Sequence, residues 1–200
     1  MTRMPGSAAT EALADLPLGE VLERLAARTP APGGGSSAAI AGCLAAALVE
    51  MASGFEESPD AGGRGTRAAE LRGLLVDLAD RDLTSYEPVL QALRRPADDS
   101  DRAAAVAAAL SVAAATPLGI ARVSAELAGL AQAATEAAGR HLVGDSATAA
   151  VLAEAACAAA VLLVEINLGG TADPRLQEAA QLTHAAMQAR ECACAKANER

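Results

Sequence analysis

The chain has 200 residues, the length of one ordinary domain and enough to bury a core without disulfides or metals. Hydrophobic residues make up 52%, yet there is no Trp, one Tyr and one Phe, so the core must be built from Ala, Leu and Val. A formal charge of −9 lacks the basic footprint that nucleic acid or an anionic membrane surface attracts, which argues against both as partners.

This composition favours closely packed helices, because Ala is the best helix former and the β-branched and aromatic residues that suit strands are scarce apart from Val. The expected fold class is all-α, an antiparallel bundle of about six helices. Residues 1–15 are small, polar and acidic without a clear period and read as a loose tail, leaving residues 16–200 as a single domain. The N-terminus shows no charged, apolar and cleavage-site succession, so the expectation is a cytoplasmic protein with reduced thiols.

In "PLGEVLERLAAR", Leu18, Val21, Leu22 and Leu25 recur at helical spacing and predict a first helix ending before Pro30. A second helix is expected over residues 36–53; its apolar run is short and carries Glu50, so it reads as a core helix and not as a membrane span, which needs about 20 apolar residues. The Gly, Pro and Asp content of residues 54–66 predicts a loop. A third helix follows over residues 67–93, closed by "RRPADDS". Ser100 is the expected cap of a fourth helix that runs to about Gly139 with a bend at Pro117. The fifth, residues 144–168, carries Glu154 and Glu165 in an Ala-rich run and reads as the central helix of a soluble bundle. Asp173 followed by Pro174 starts a sixth.

Cys43, Cys157, Cys192 and Cys194 form no CxxC pair, and only His141 and His184 accompany them, so no metal site is expected. Cys43 and Cys157 read as small core residues.

The apolar stripe of the third helix runs Leu71, Leu75, Leu78, position 82, Tyr86, Val89, Leu93, and position 82 is Asp. A carboxylate on such a seam must find partners or keep its proton. Either Asp82 pairs with an arginine of another helix, such as Arg122, and is structural, or it serves a site; stripe position alone leaves the two even. Tyr86, one turn away, can reach the same group. Pro88 frees the carbonyl of Thr84, and that irregularity beside the acid mildly favours a site.

Glu154 and Glu165 lie on one line of the fifth helix, where a solvated edge is the commoner case. Asn167 can cap that helix or contact a ligand, and Asp145 suits a cap. "PGGGSS" lacks the spacing of a Walker loop, but it feeds a helix N-terminus whose unpaired amides can hold an anion or stabilise developing charge. A tight helix-to-helix connection is the simpler reading of the glycines alone.

Four segments together resemble the formiminotetrahydrofolate cyclodeaminase and methenyltetrahydrofolate cyclohydrolase family, in order over about residues 17–175. They are "TPAPGGGSSAAIAGCLAAALVEM" (Thr29–Met51), "LADRDLTSYEPVL" (Leu78–Leu90), "TPLGIARVSAEL" (Thr116–Leu127) and "GDSATAAVLAEAACAAAVLLVEINL" (Gly144–Leu168). The resemblance implies a helical bundle that forms a homodimer, takes a tetrahydrofolate derivative as substrate and needs no metal. It implies one of two reactions, ammonia loss from 5-formiminotetrahydrofolate to give the 5,10-methenyl form, or hydrolysis of that form to 10-formyltetrahydrofolate. Asp82 matches the catalytic aspartate, and a carboxyl group holding a proton could hand it to departing ammonia. Pro32, Gly33, Gly34, Gly35, Ser36 and Ser37 would line the folate pocket, with Tyr86, Asp145 and Asn167 as further wall residues. Because Lys196 is the only lysine, Arg64 or Arg67 would have to meet a folate's anionic glutamate tail. The alternative implied is a helical protein of the same descent that binds folate or a partner without catalysis.

Overall fold

Alanine's small side chain sets how closely the helices of this chain can approach. The computed structural model describes residues 12–199, and among them there are helices and no strand. After a 3-10 turn at Leu13–Asp15 come α1 (Leu18–Ala26), α2 (Gly34–Gly54), α3 (Ala61–Ser85), α4 (Glu87–Leu93), α5 (Arg102–Ala113), α6 (Ala115–Ala137), α7 (Val143–Leu168) and α8 (Pro174–Asn198). The all-α bundle expected from composition is present.

The prolines explain why about six expected helices become eight segments. Pro88 enters the first turn of a new helix, so the long third helix ends at Ser85 and α4 restarts after Tyr86. Pro117 has no N–H to offer the carbonyl of Ala113, the last residue of α5, and the chain breaks at Ala114 before resuming as α6.

Two local expectations are corrected. Residues 54–66 are not all loop: α3 begins at Ala61, and "GGRG" is helical because Gly65 lies against the end of α2, where an added Cβ would stand 3.3 Å from the Ser53 Cβ. Ser100 is not a cap; α5 starts after Asp101, whose N–H is held by Asp99 Oδ1 at 2.9 Å. Of the expected tail, residues 1–11 lie outside the described residues. Leu13, just beyond them, is buried and donates its N–H to Asp80 Oδ1 at 2.9 Å.

α7 packs against α2, α6 and α8, and α2 is covered on another side by α3. Their contact faces are largely alanine, including Ala39, Ala45 and Ala46 of α2, Ala121, Ala128 and Ala131 of α6, and Ala149, Ala150, Ala153 and Ala160 of α7. Gly42 takes this furthest, since a Cβ there would stand 2.8 Å from a Leu75 methyl. By length and composition, α2, α7 and the α5–α6 stretch could each cross a membrane, yet half of the α2 and α7 windows is buried within the bundle. α2 runs antiparallel to both α3 and α7: its first residues meet Asp82 near the end of α3 and Leu163 near the end of α7. That places a bend, an acid and two helix ends in one corner.

Candidate active site

The corner is built on the start of α2. The Ala31–Pro32 peptide is cis, and Gly33 leads into the helix as its N-cap. The first amides of a helix have no intrahelical acceptor. The third of them, Ser36 N–H, donates to Asp82 Oδ2 at 2.7 Å, and Ser36 Oγ lies 3.0 Å from the same oxygen. Ser85, one turn after Asp82, brings its Oγ to 3.4 Å from Oδ1. Asp82 thus reaches the positive end of a helix dipole from another helix.

The glycines now have a specific cause. A Cβ on Gly35 would stand 2.1 Å from Asp82 Oδ1, so no other residue fits while the carboxylate holds this position. Gly34 is less constrained; a Cβ there would meet the Leu163 methyls at 3.7 Å.

Asp82 is half-buried and opens on a cavity of about 270 Å³. Gly33, Gly34 and Gly35 form one wall, Tyr86 and Leu90 another, and Leu163, Ile166 and Asn167 of α7 a third. Among the described residues, the only charged side chains on this lining are Asp82 and Glu87. No Arg or Lys among them pairs with Asp82. The structural alternative, a pair with Arg122, does not form: Arg122 holds Glu178 across α6 and α8 at 2.5 and 2.9 Å.

The expected site residues therefore divide. Asp82, Gly33, Gly34, Gly35, Tyr86 and Asn167 come together on one cavity. Pro32 lines an adjoining cavity of about 360 Å³ that shares Ala31 and Leu83 with the first and carries Arg24 and Thr29. Ser36 is fully buried behind Asp82 and does not reach the cavity. Ser37 faces outward and turns its hydroxyl back to the Gly33 carbonyl at 2.8 Å. Asp145 is in the first turn of α7, 22 residues and about 33 Å along the helix from Asn167, so it is not a wall of this cavity. Arg64 and Arg67 also lie elsewhere, near the start of α3; Arg64 pairs with Glu56, and Arg67 holds Glu126 and Glu70, each at 2.7 Å.

Ser85 and Glu87 line the cavity and were not singled out from the sequence. Helical spacing from Asp82 was the available signal for Ser85; Glu87 comes into place only because the helix breaks at Tyr86. Glu154 lies 3.9 Å from Arg190, and Glu165 is exposed. Burial pushes the Cys43 and Cys157 thiols up to about 11; Cys157 is the core residue expected, whereas Cys43 is half-buried at the core's edge. Among the described residues no three His, Cys, Asp or Glu side chains gather as metal ligands.

An all-α bundle that aims a carboxylate at a helix N-terminus, on the wall of a cavity and with no counter-cation among the described residues, is a scaffold for proton transfer or for binding a cationic group. Residues 17–186 match the family described as formiminotransferase-cyclodeaminase. The chain belongs to that family. It is 30% identical over 169 residues to a methenyltetrahydrofolate cyclohydrolase of Methylorubrum extorquens, covering 78% of this chain and 81% of that one. Its fold is similar to the crystal structure of a formiminotetrahydrofolate cyclodeaminase from Thermotoga maritima, with a TM-score of 0.77 and 26% identity over 94% of this chain and 96% of the other.

Proposed function

We propose that the protein is a folate-dependent one-carbon enzyme acting at the bridge between N5 and N10 of tetrahydrofolate. It either closes the bridge from 5-formiminotetrahydrofolate with loss of ammonia, or opens the 5,10-methenyl bridge with water to give 10-formyltetrahydrofolate. The observation that carries this reading is the cavity's charge: among the described residues its charged side chains are Asp82 and Glu87, both acids. The methenyl bridge is an amidinium-type cation, and a protonated formimino group is one as well. A carboxylate beside such a carbon stabilises its charge without a metal.

Asp82 is the proposed catalytic residue, and its chemistry serves either direction. In ammonia loss N10 attacks the formimino carbon, the N10 proton must leave, and the departing nitrogen must gain one. In ring opening, water attacks the same carbon and loses a proton as the C–N5 bond breaks. One carboxyl group that accepts and returns a proton covers both sequences. Gly33–Gly35 and Asn167 are proposed to hold the ring system, with Tyr86 along its side. The adjoining cavity, on whose lining Arg24 lies in its ion pair with Glu20, offers room for the anionic end of the substrate.

The reading includes a cytoplasmic homodimer. α2 exposes Ser37 and Leu44 on one stripe with the half-buried Ala41, Leu48 and Met51, and α7 exposes Thr148, Val151, Ala155, Ala159, Leu162 and Ile166. Both stripes are free of charge although Leu44, Leu162 and Ile166 are more than half exposed. The occupant proposed for this face is a second copy of the chain, because Ile166 belongs both to the stripe and to the cavity wall. Covering the face would also close the open side of the site against water.

The test is to supply the purified protein with each folate and follow ammonia release and the methenyl absorbance. Conversion of one of the two substrates is expected; failure to convert either overturns the proposal.

A further inference from the structure

Ser36 has one hydroxyl hydrogen and two acceptors within reach. Its Oγ lies 3.0 Å from Asp82 Oδ2 and 3.1 Å from the carbonyl of Ala79, one turn earlier in α3. The Ala79 carbonyl sits inside a helix, so it has the helical ladder as partner whether or not the hydroxyl turns to it. Ser36 itself is fully buried and is not on the cavity wall, so it touches Asp82 and not a ligand.

We propose that Ser36 is a positioning residue whose hydroxyl switches between these two acceptors and so lets Asp82 gain and lose a proton without orphaning a buried polar atom. The inference rests on the reading of Asp82 as the acid–base group. With Asp82 ionised, Ser36 N–H and O–H both donate to Oδ2. With the proton on Oδ2, the carboxyl O–H donates to Ser36 Oγ, the serine hydrogen turns to the Ala79 carbonyl, and the Ser36 N–H keeps its place on Oδ2. Every donor has an acceptor in both states. Ser85 has the same property on the other oxygen, with the Asp82 carbonyl at 3.1 Å and Oδ1 at 3.4 Å from its Oγ.

Few charges compete with this arrangement. The start of α4 brings Tyr86 and Glu87 to the cavity, while α2, α5, α6 and α7 bring no titratable side chain to it. On α3 itself Asp80 is occupied by the Leu13 N–H, and Arg81 is exposed on the rim of a different cavity with Arg122.

The experiment compares wild type and Ser36→Ala by the pH titration of the Asp82 carboxyl in carbon-13 aspartate-labelled protein, with Asp82→Asn identifying the resonance. The pH profiles of kcat and KM are recorded beside it. In Ser36→Ala the ionised form loses a charge-assisted donor and the protonated form only a neutral acceptor, so the titration midpoint rises. The kcat profile moves with it, kcat falls about tenfold or more, and KM stays the same. Ser36→Cys, near in size and a weak donor, shifts the midpoint the same way and serves if the alanine variant does not fold. An unmoved midpoint in a folded variant, or a raised KM at constant kcat, overturns the proposal. If wild type converts neither folate, the functional reading fails, whereas the midpoint comparison still decides the role of Ser36.

Discussion

Asp82 and Asp173 both place a carboxylate at a helix N-terminus, and they do so by opposite routes. Asp173 directly precedes α8, accepts the Arg175 N–H at 2.9 Å and is gripped by the Arg175 guanidinium at 2.9 and 2.7 Å. The Arg175 side chain first, and its backbone N–H second, hold this carboxyl down to about 2. Arg175 also donates to the carbonyl and hydroxyl of Ser111, so the pair ties α8 to α5. Asp82 instead reaches α2 across 46 residues of sequence and finds backbone and hydroxyl donors but, among the described residues, no cation. A counter-charge closes a structural acid. An acid that the described residues leave without one, on a cavity wall, is open to a ligand.

The difference can be broken most severely at Gly35. Gly35→Ala would force a Cβ against Asp82, so α2 and α3 must part or the carboxylate must leave its donors. Turnover should drop by about hundredfold or more and stability by about 1–3 kcal/mol, read from kcat and urea unfolding. Gly34→Ala sharpens the contrast, because its Cβ makes ordinary contact with Leu163 and stability should stay within about 1 kcal/mol. Leu162→Glu puts a charge into the exposed α7 stripe. Light scattering should then report monomers where wild type gives dimers, and wild-type monomers would contradict the proposed interface.

At Asp173 the expected effect is smaller and is confined to acid. A carboxyl held down to about 2 contributes stability above its ordinary value and loses it as pH falls through about 2. Asp173→Asn should therefore lower Tm at neutral pH and flatten its decline between about pH 4 and pH 2, modestly because the half-buried pair is still partly screened by solvent. The smallest effect belongs to Arg122→Ala. It removes an exposed pair with Glu178, should change stability by less than about 1 kcal/mol, and should leave turnover unchanged, since Asp82 draws nothing from that arginine.

Much of this was legible in the sequence. A lone Asp on the Leu71–Leu75–Leu78 seam announced an acid facing inward, and the glycine run announced a close approach, but neither named the other as partner. That pairing depends on α2 and α3 being antiparallel with the end of one at the start of the other, which no local pattern encodes. The same helical turn that exposes Ser37 buries Ser36, so two adjacent serines expected in the pocket wall lie outside it for opposite reasons. The motif groups Asp145 with Asn167, although the unbroken helix between them holds them far apart. "GGRG" read as loop because glycine propensity is counted locally, while the packing of Gly65 on Ser53 that offsets it is a tertiary contact.

The account turns on Asp82 moving a proton at the one-carbon bridge. Its most direct test is to mix an excess of wild type or Asp82→Asn with the substrate that wild type converts, and to follow the methenyl absorbance through a single turnover while circular dichroism reports the fold. The account predicts that the folded Asp82→Asn protein reacts slower than wild type by about 10²–10⁴-fold or more. Turnover at the wild-type rate by that variant would contradict it.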